Sequence, residues 1–522
     1  MKFIIDDLEQ RRIALQAALD AEKTQAERNR LGQFATPTAL ATDILEYASR
    51  LIPQDVKINF LDPAIGTGSF YSALLKVFPE NRLETALGFE IDPHYGDPSR
   101  LLWKDTSLTL RLADFTHEEP PRSFNLVICN PPYVRHHHLQ NGNKFRLQSS
   151  TRKASGMKLS GLAGLYCHFL GLAHTWMADS GVAGWLIPSE FMDVNYGLAM
   201  KSYLLERVTL LHIHRFDPND AQFADALVSS AVVWFRNTPP PVDHNVLFTM
   251  GGKLLEPKLS RSISAKELAL ESKWTRFPIA DVRLKSTAPK LSDFFQIKRG
   301  IATGDNKFFI LSEEDVKTHD LPMQELRPIL PSPRYMLEDE LKADKDGNPI
   351  VSRRLFLLDT HLRENEIKAR FPKLWNYLKK GIEEGIHEGY ICSHRTPWYS
   401  QENRLPAPIV CTYIGRGDTK RGRPFRFILN ESRATIANVY LAMYPTPLLA
   451  RAMNNDKTLI RRVWRVLNTI GTDQLLCEGR VYGGGMFKLE PKELANVNAS
   501  AIAELIPDLQ LEQKPEQLKM FG

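Results

Sequence analysis

Residues 58–70, Ile58-Asn59-Phe60-Leu61-Asp62-Pro63-Ala64-Ile65-Gly66-Thr67-Gly68-Ser69-Phe70, are typical of a short buried strand, a glycine turn and the start of a helix. This order opens a Rossmann-like unit, in which Gly66 and Gly68 let the backbone approach a bound ligand. No third glycine follows and no Gly-Lys-Ser/Thr is present, so neither the dinucleotide fingerprint nor the P-loop is satisfied. The stretch therefore predicts an α/β domain and leaves its ligand open.

Two further predicted strands end in residues that can bind a nucleoside. The strand 86–89 leads to Glu90 and Ile91, and an acidic residue about 20 positions past the glycine turn is placed to accept from ribose hydroxyls. The next strand leads to Asp114 and Phe115, a carboxylate that can accept from an amine and a ring that can pack on a base. Asp114 alone could equally be an exposed loop residue. In an open α/β sheet, however, the carboxyl ends of the strands face one crevice.

A fourth predicted strand, on the apolar run Leu126–Cys129, leads into the turn Asn130-Pro131-Pro132-Tyr133. The prolines fix φ and remove two backbone donors, so that Asn130 and its neighbouring carbonyls are held where an amine could bind to them. Two acceptors would draw an exocyclic NH2 toward sp3 geometry and free its lone pair to attack an electrophile. An ordinary proline turn is the alternative for Asn-Pro-Pro by itself.

The composition of the 522-residue chain is that of a globular protein with more than one domain, 43% hydrophobic and 25% charged. No run of about 18 apolar residues and no signal-peptide core occurs, so we expect a cytoplasmic protein without a membrane partner. The five cysteines lack metal-ligand spacing and predict free thiols. The adjacent histidines 136–138 do not share one face, and we predict no metal site.

The basic residues are unevenly distributed within a net charge of +6. Residues 401–470 hold twelve Lys/Arg against four Asp/Glu, and no acidic residue occurs between Pro120 and Ala178. Such clustering indicates a polyanionic partner. The polar segment 134–161 directly follows the Asn-Pro-Pro-Tyr turn and is expected to contact phosphates, although a plain surface loop is the alternative. Its candidate contacts are Arg135, Lys144 and Arg146.

The order of these motifs, GQFATP (32–37), DPAIGTGSF (62–70), GFEIDP (88–93), ADF (113–115) and NPPY (130–133), resembles the gamma class of S-adenosylmethionine-dependent DNA amino-methyltransferases. These are adenine-N6 enzymes of bacterial restriction–modification systems. The resemblance implies an α/β fold with a Rossmann-like seven-stranded methyltransferase sheet, its last strands at 205–213 and 227–235, and a C-terminal α+β target-recognition domain. It also implies S-adenosylmethionine as cofactor, double-stranded DNA as partner, base flipping and direct SN2 attack by N6 of adenine.

The resemblance also assigns residues. It gives cofactor contacts to Phe34, Thr36, Asp62, Ala64, Gly66, Gly68, Glu90, Ile91, Asp114 and Phe115, and catalysis to Asn130, Pro131, Pro132 and Tyr133. An aromatic residue before the last strand stacks on the target base in that family, and here it is Phe223, for which a core-edge position is the alternative. Interleaved basic and aromatic residues predict DNA contacts at Arg299, Arg395, Trp398, Tyr399, Arg423 and Arg426, although any one could lie on a solvated charged face.

We expect a monomer with an N-terminal solvated helix (1–31), a catalytic domain (32–245), a linker (246–290) and a DNA target-recognition domain (291–522). About 30 residues precede the first motif, too few for a nuclease, so a cognate restriction endonuclease would be a separate chain. Two alternatives stay open, an RNA or protein-glutamine N-methyltransferase that shares the Asn-Pro-Pro-Tyr motif, and a non-catalytic DNA-binding subunit. The long basic C-terminal region disfavours the first and the intact motifs disfavour the second.

Overall fold

The computed structural model describes residues 2–121, 123–134, 141–217, 229–278, 288–416, 423–482 and 486–506. Contacts divide the chain into one unit of Met1–Asp281 with Tyr482–Gly484 and another of Val282–Val481 with Gly485–Gly522. Arg135, the histidines 136–138 and Phe223 lie outside the described residues. No helix within the described ranges is long and apolar enough to cross a membrane.

One sheet with flanking helices forms the first unit. Its strands are β1 (Ile58–Asp62), β2 (Leu83–Glu90), β3 (Leu108–Leu112), β4 (Phe124–Cys129), β5 (Met177–Pro188), β6 (Thr209–Arg215), β7 (Ser230–Arg236), β8 (Asn245–Gly252) and β9 (Pro257–Ser264). Its helices are α1 (Lys2–Ala21), α2 (Gln25–Leu31), α3 (Thr38–Leu51), α4 (Ser69–Val77), α5 (Pro93–Trp103), α6 (Asn141–Ser155), α7 (Leu165–Leu172), α8 (Leu198–Glu206) and α9 (Ala265–Leu270). The predicted α/β fold is confirmed. The sequence also predicts a helix from Thr38 to Leu51, directly after the GQFATP motif, and α3 has these bounds.

The strands lie in the order β3-β2-β1-β4-β5-β7-β6-β8-β9. Their order along the chain reverses between β1 and β4, because strand numbers fall toward β1 and rise after β4. These two strands pair in parallel, with Phe60 opposite Leu126 and Leu61 opposite Val127. Leu126 to Cys129 are fully buried, as expected for a central parallel strand that is covered on both faces. Ligands of open α/β sheets bind at such a reversal, outside the carboxyl ends of the strands. The sheet therefore places the ends of β1 and β4 side by side at that point.

Several sequence-based predictions are wrong in detail. The sheet has nine strands among the described residues rather than seven, because β8 and β9 extend it beyond β6. Apart from Asn245, these two strands lie in the segment 246–290, which is therefore more than a linker. The polar segment 134–161 contains α6, and the start of the strand predicted at 205–213 belongs to α8. The described cysteines, Cys129, Cys167, Cys392 and Cys411, are free as predicted, and all four are buried.

The second unit is built from short elements. Its strands are β10 (Phe295–Arg299), β11 (Ile310–Ser312), β12 (Leu326–Ile329), β13 (Glu340–Leu341), β14 (Leu355–Leu358), β15 (Ile409–Thr412), β16 (Ile414–Arg416), β17 (Phe427–Asn430), β18 (Tyr440–Pro445), β19 (Arg480–Tyr482) and β20 (Met486–Lys488). Its helices are α10 (Leu291–Phe294), α11 (Asn306–Phe309), α12 (Glu313–Thr318), α13 (Glu364–Arg370), α14 (Pro372–Glu383), α15 (Tyr390–Ser393), α16 (Pro447–Asn455), α17 (Leu459–Leu467), α18 (Thr472–Glu478), α19 (Pro491–Ala495) and α20 (Ser500–Ala503).

These strands form a five-stranded sheet of order β10-β18-β15-β17-β13 and two three-stranded sheets. The five-stranded sheet is antiparallel except for the β13–β17 pair. Helices α16, α17 and α19 contribute buried leucines to the hydrophobic core against this sheet. The predicted α+β architecture of the C-terminal region is confirmed.

The β8–β9 hairpin packs into the core of the first unit. Phe248 in β8 is fully buried, and its ring lies 5.2 Å from that of Phe277 and 6.3 Å from that of Trp274. Phe248→Ala should lower the free energy of unfolding by about 3–5 kcal/mol, because it leaves a cavity in the core. Urea unfolding of the full chain measures this effect. Val242→Ala, at a site 85% exposed, is the control, and an equally small effect of both substitutions would contradict the assignment.

Candidate active site

Asn130 follows directly after the buried end of β4, and its side-chain amide is held by the segment before α3. Its Nδ2 donates to the carbonyl oxygen of Phe34 at 3.0 Å and to Oγ1 of Thr36 at 3.1 Å. The Phe34 carbonyl can only accept, so the amide nitrogen and not the oxygen must face it. The contact thereby leaves Oδ1 of Asn130 as the acceptor that this side chain can offer to a ligand.

Tyr133 is fixed by contacts at both ends. Its hydroxyl donates to the carbonyl of Leu186 at 3.1 Å, and its backbone N–H donates to the carbonyl of Gly32 at 3.4 Å. Gly32 has φ +66°, and a Cβ there would lie 2.4 Å from the Tyr133 nitrogen, so only glycine fits. The Tyr133 ring lies 5.8 Å from that of Phe34. Two segments that are 100 residues apart in sequence are thus packed together, as their assignment to one site requires.

The glycine turn after β1 is shaped by a tryptophan. Gly68 has φ +88°, and a Cβ on it would approach Nε1 of Trp103 to 2.6 Å. The same Nε1 donates to the carbonyl of Thr67 at 2.9 Å. The turn is therefore held against α5, and it leads into α4 at Ser69.

A buried carboxylate, Asp62, and a half-buried one, Glu90, lie at the ends of β1 and β2. Asp62 accepts from the N–H of Ala64 at 3.1 Å, and Glu90 accepts from Gly66 at 3.1 Å and from Asp92 at 2.8 Å. Burial raises the pKa of Asp62 to about 8 and that of Glu90 to about 6. A cationic group of a ligand would offset this penalty and favour the ionised forms. The pair is therefore suited to a ligand that carries positive charge and hydroxyl donors.

One crevice is lined by half of the ten predicted cofactor residues. Its lining combines the segment before α3, the glycine turn and the residue after β4, and comprises Gln16, Phe34, Ala35, Thr36, Asp62, Ala64, Ile65, Gly66, Thr67, Ser69, Phe70 and Asn130. Glu90 reaches this lining through its hydrogen bond to Gly66. Pro131 is buried and Pro132 is half-buried in the turn beside it. No group of three or more potential metal ligands occurs among the described residues.

The third strand end contributes less directly. Asp114 caps its own turn by accepting from the N–H of Thr116 at 2.9 Å. Phe115 is only 2% exposed, and its ring packs on those of Phe89 and Trp176 at 5.5 and 5.1 Å. The predicted packing of Phe115 on a base is therefore wrong, because its ring is part of the core. Ile91, by contrast, is 64% exposed beside Glu90, where an apolar ligand surface would cover it.

Basic residues predicted to contact DNA have different environments. Arg146 donates to the carbonyl and to Oγ1 of Thr116, at 2.8 and 2.9 Å, and so fastens α6 to the turn after β3. Lys144 is half-buried on the same helix. In the second unit, Arg299 is 43% exposed, donates to Glu490 at 3.0 Å and lies 4.4 Å over the ring of Tyr413.

Three other predicted DNA contacts have internal roles instead. Tyr399 is fully buried and donates to the carbonyl of Leu362 at 2.7 Å, so the predicted contact is wrong for it. Arg395 donates to the carbonyls of Ala302 and Thr303 at 2.7 and 3.0 Å. Arg426 pairs with Asp339 and donates to the carbonyls of residues 333, 336 and 338. Because these donors are already used within the fold, neither arginine is placed for a phosphate.

The remaining two candidates differ from each other. Trp398 is half-buried and packs on the rings of Phe308 and Tyr399 at 5.9 and 5.5 Å. Arg423 is exposed and donates to the carbonyl of Asn468. An aromatic side chain packed in this way contributes to the core of the second unit, whereas Arg423 keeps an accessible guanidinium.

The N-terminal segment contributes to the crevice, which its sequence did not indicate. It forms the two helices α1 and α2 rather than one solvated helix over 1–31, and α1 has a buried ion pair. Gln16 of α1 lines the crevice and accepts from Oγ1 of Thr67 at 2.7 Å. The sequence offered only a loose apolar stripe, since a polar residue on a charged helix looks the same whether it is solvated or packed.

Comparisons with known proteins identify relatives of both parts of the chain. A family model described as Eco57I restriction-modification methylase matches residues 97–223, and one described as Type II methyltransferase M.Eco57I, C-terminal domain, matches residues 267–520. M.XamI of Xanthomonas campestris pv. amaranthicola, a type II methyltransferase, is 28% identical over 91% of this chain and 86% of its own. M.AccI of Acinetobacter calcoaceticus, another type II methyltransferase, is 26% identical over 90% of this chain and 85% of its own.

Among solved structures, the type IIL restriction–modification enzyme MmeI in complex with DNA aligns with 80% of this chain and 60% of its own, at a TM-score of 0.48 and 13% identity.

The two matching family models together cover more than half of the chain, and the curated relatives align along about nine-tenths of it. The chain therefore belongs to the DNA methyltransferases of restriction–modification systems.

Proposed function

We propose that the chain methylates N6 of adenine at a specific site in duplex DNA. The supporting observation is the Asn130 amide, whose nitrogen is bound by Phe34 and Thr36 and whose oxygen can therefore accept from an amine. Together with the Pro131 carbonyl, this oxygen would accept both hydrogens of the adenine NH2. The amine nitrogen would then keep its lone pair for attack, and no strong base would be needed.

S-adenosylmethionine is the proposed cofactor, and it would supply a methyl group on a positively charged sulfonium that an amine can displace directly. Its ammonium would fit beside Asp62. Burial raises the pKa of this carboxyl to about 8, and a neighbouring ammonium would favour its ionised form. Its ribose hydroxyls would donate to Glu90, and its adenine would cover the exposed Ile91. The rate would come from alignment of the two reactants in the crevice.

In duplex DNA the N6 amine is base-paired and its base is stacked, so the target adenine would have to flip out to reach Asn130. The ring of Tyr133 would then pack against the flipped base, and Phe223 is proposed to stack on it from the other side. Arg135, Lys144, Arg299 and Arg423 are the proposed contacts to DNA, and the second unit is proposed to read the site. The chain would act as a monomer, as the modification partner of a separate restriction endonuclease.

Transfer of a labelled methyl group tests this proposal. The full chain is incubated with tritiated S-adenosylmethionine and unmethylated duplex DNA, and the DNA is digested to nucleosides. We expect the label in N6-methyldeoxyadenosine. Label in a methylated cytosine would contradict the adenine assignment, and label that enters only RNA or protein supplied in parallel would favour the alternative substrate classes.

Asn130→Ala should lower kcat by about 100-fold or more, because it removes an acceptor that stabilises the charge developing on the amine. Binding of duplex DNA should change little, since the phosphate contacts lie elsewhere. Asn81→Ala, an exposed site in the same unit, serves as the control. Single-turnover methylation measures the rate constant of methyl transfer. A value for Asn130→Ala within about threefold of that of the control would exclude the proposed role.

Cofactor binding should depend on pH through Glu90. The carboxylate is ionised above its pKa of about 6 and then accepts charge-assisted hydrogen bonds. Ionisation of Glu90 alone should therefore raise the affinity for S-adenosylmethionine about tenfold between pH 5 and pH 7. Calorimetry of the wild type and of Glu90→Gln separates this effect from titration of Asp62. The variant should bind more weakly throughout and lose the change centred near pH 6; an unaltered pH profile would refute the assignment.

A further inference from the structure

Helix α1 contains a buried ion pair that faces the crevice. Arg12 and Glu9 are 3% and 2% exposed, and Nε and Nη2 of Arg12 each donate to one carboxylate oxygen of Glu9 at 2.8 Å. Burial alone would raise the pKa of Glu9, but hydrogen bonds from Arg12 and Thr38 lower it to about 2. Both members of the pair are therefore charged at neutral pH.

The guanidinium of Arg12 also reaches two separate segments of the crevice. Its Nη1 donates to Oγ of Ser69 at 3.0 Å and to Oγ1 of Thr67 at 3.3 Å. Its Nη2 donates to Oγ1 of Thr38, at the start of α3, at 3.0 Å. Gln16, one turn further along α1, accepts from Thr67 at 2.7 Å. One helix thus links the glycine turn to the segment that holds Asn130.

We propose that α1 is a positioning element of the cofactor site, in which Arg12 and Gln16 hold the Thr67–Ser69 turn and the start of α3 in the geometry that binds cofactor. This inference rests on the proposed use of S-adenosylmethionine. Glu9 neutralises the buried guanidinium and orients it. Gln16 is the member of the set that also lines the crevice directly.

Stability alone does not account for this arrangement. A buried ion pair contributes little net stability compared with apolar side chains of similar volume, because both charges lose their hydration. Arginine instead offers five donors in a rigid fork, and here they reach hydroxyls on both cofactor segments.

The test uses the full chain and a matched pair of variants. Arg12→Met combined with Glu9→Gln removes the donors without leaving a buried carboxylate unpaired. The control is Arg11→Met, at the neighbouring exposed arginine, which pairs with Asp7. Calorimetry gives the affinity for S-adenosylmethionine, and steady-state methylation gives KM for cofactor and for DNA separately. Gln16→Leu is measured in parallel, because it changes no charge.

The double variant should bind S-adenosylmethionine at least about tenfold more weakly, as expected from the loss of charge-assisted hydrogen bonds. Its KM for DNA should match that of Arg11→Met, and Gln16→Leu should show a smaller loss of the same kind. Cofactor affinity equal to the control, or equal losses for cofactor and DNA, would overturn the inference. If the double variant does not unfold cooperatively, Gln16→Leu decides by the same criteria. A wild-type chain that binds no S-adenosylmethionine would overturn the proposed function itself.

Discussion

The hydrogen bonds from Asn130 Nδ2 to Phe34 and Thr36 determine what the candidate active site can do. In these bonds the amide nitrogen donates within the protein, and the amide oxygen can accept from a ligand. The side chain of Asn130 is therefore held as an acceptor in a fixed orientation. These hydrogen bonds require two segments about 95 residues apart to meet, and the close approach of Gly32 to Tyr133 makes that possible. The prolines after Asn130 restrict the backbone of the turn in which the side chain is held.

The sheet supplies the second constraint. Because β1 and β4 are neighbours at the reversal of strand order, Asp62 and Asn130 share one crevice although one follows a glycine turn and the other a proline turn. Burial raises the pKa of Asp62 and of Glu90, because the lower polarity around them makes their ionised forms costly without a ligand. A site of this kind favours a molecule that brings its own positive charge. The same low polarity would strengthen each hydrogen bond between the protein and that molecule.

The parts that could be predicted from the sequence are those set by local pattern. The apolar runs of β1 and β4, the glycine turn and the bounds of α3 follow from periodicity and from residue types that fix the backbone. The parts that could not be predicted depend on packing between distant segments. Phe115 is buried because Phe89 and Trp176 happen to enclose it. Arg12 lies on a charged helix and gives no sign that it is buried. The hairpin of β8 and β9 follows a proline-rich stretch that resembles a domain end, although the chain returns to the sheet beside β6.

The most direct test of the account is a crystal structure of the full chain with duplex DNA that contains its target site and with sinefungin in place of the cofactor. We expect the target adenine to lie outside the duplex, with its N6 about 3 Å from Oδ1 of Asn130, and Nδ2 to keep its contacts with Phe34 and Thr36. A target base that stays stacked, or an N6 that approaches Nδ2 instead of Oδ1, would contradict the account.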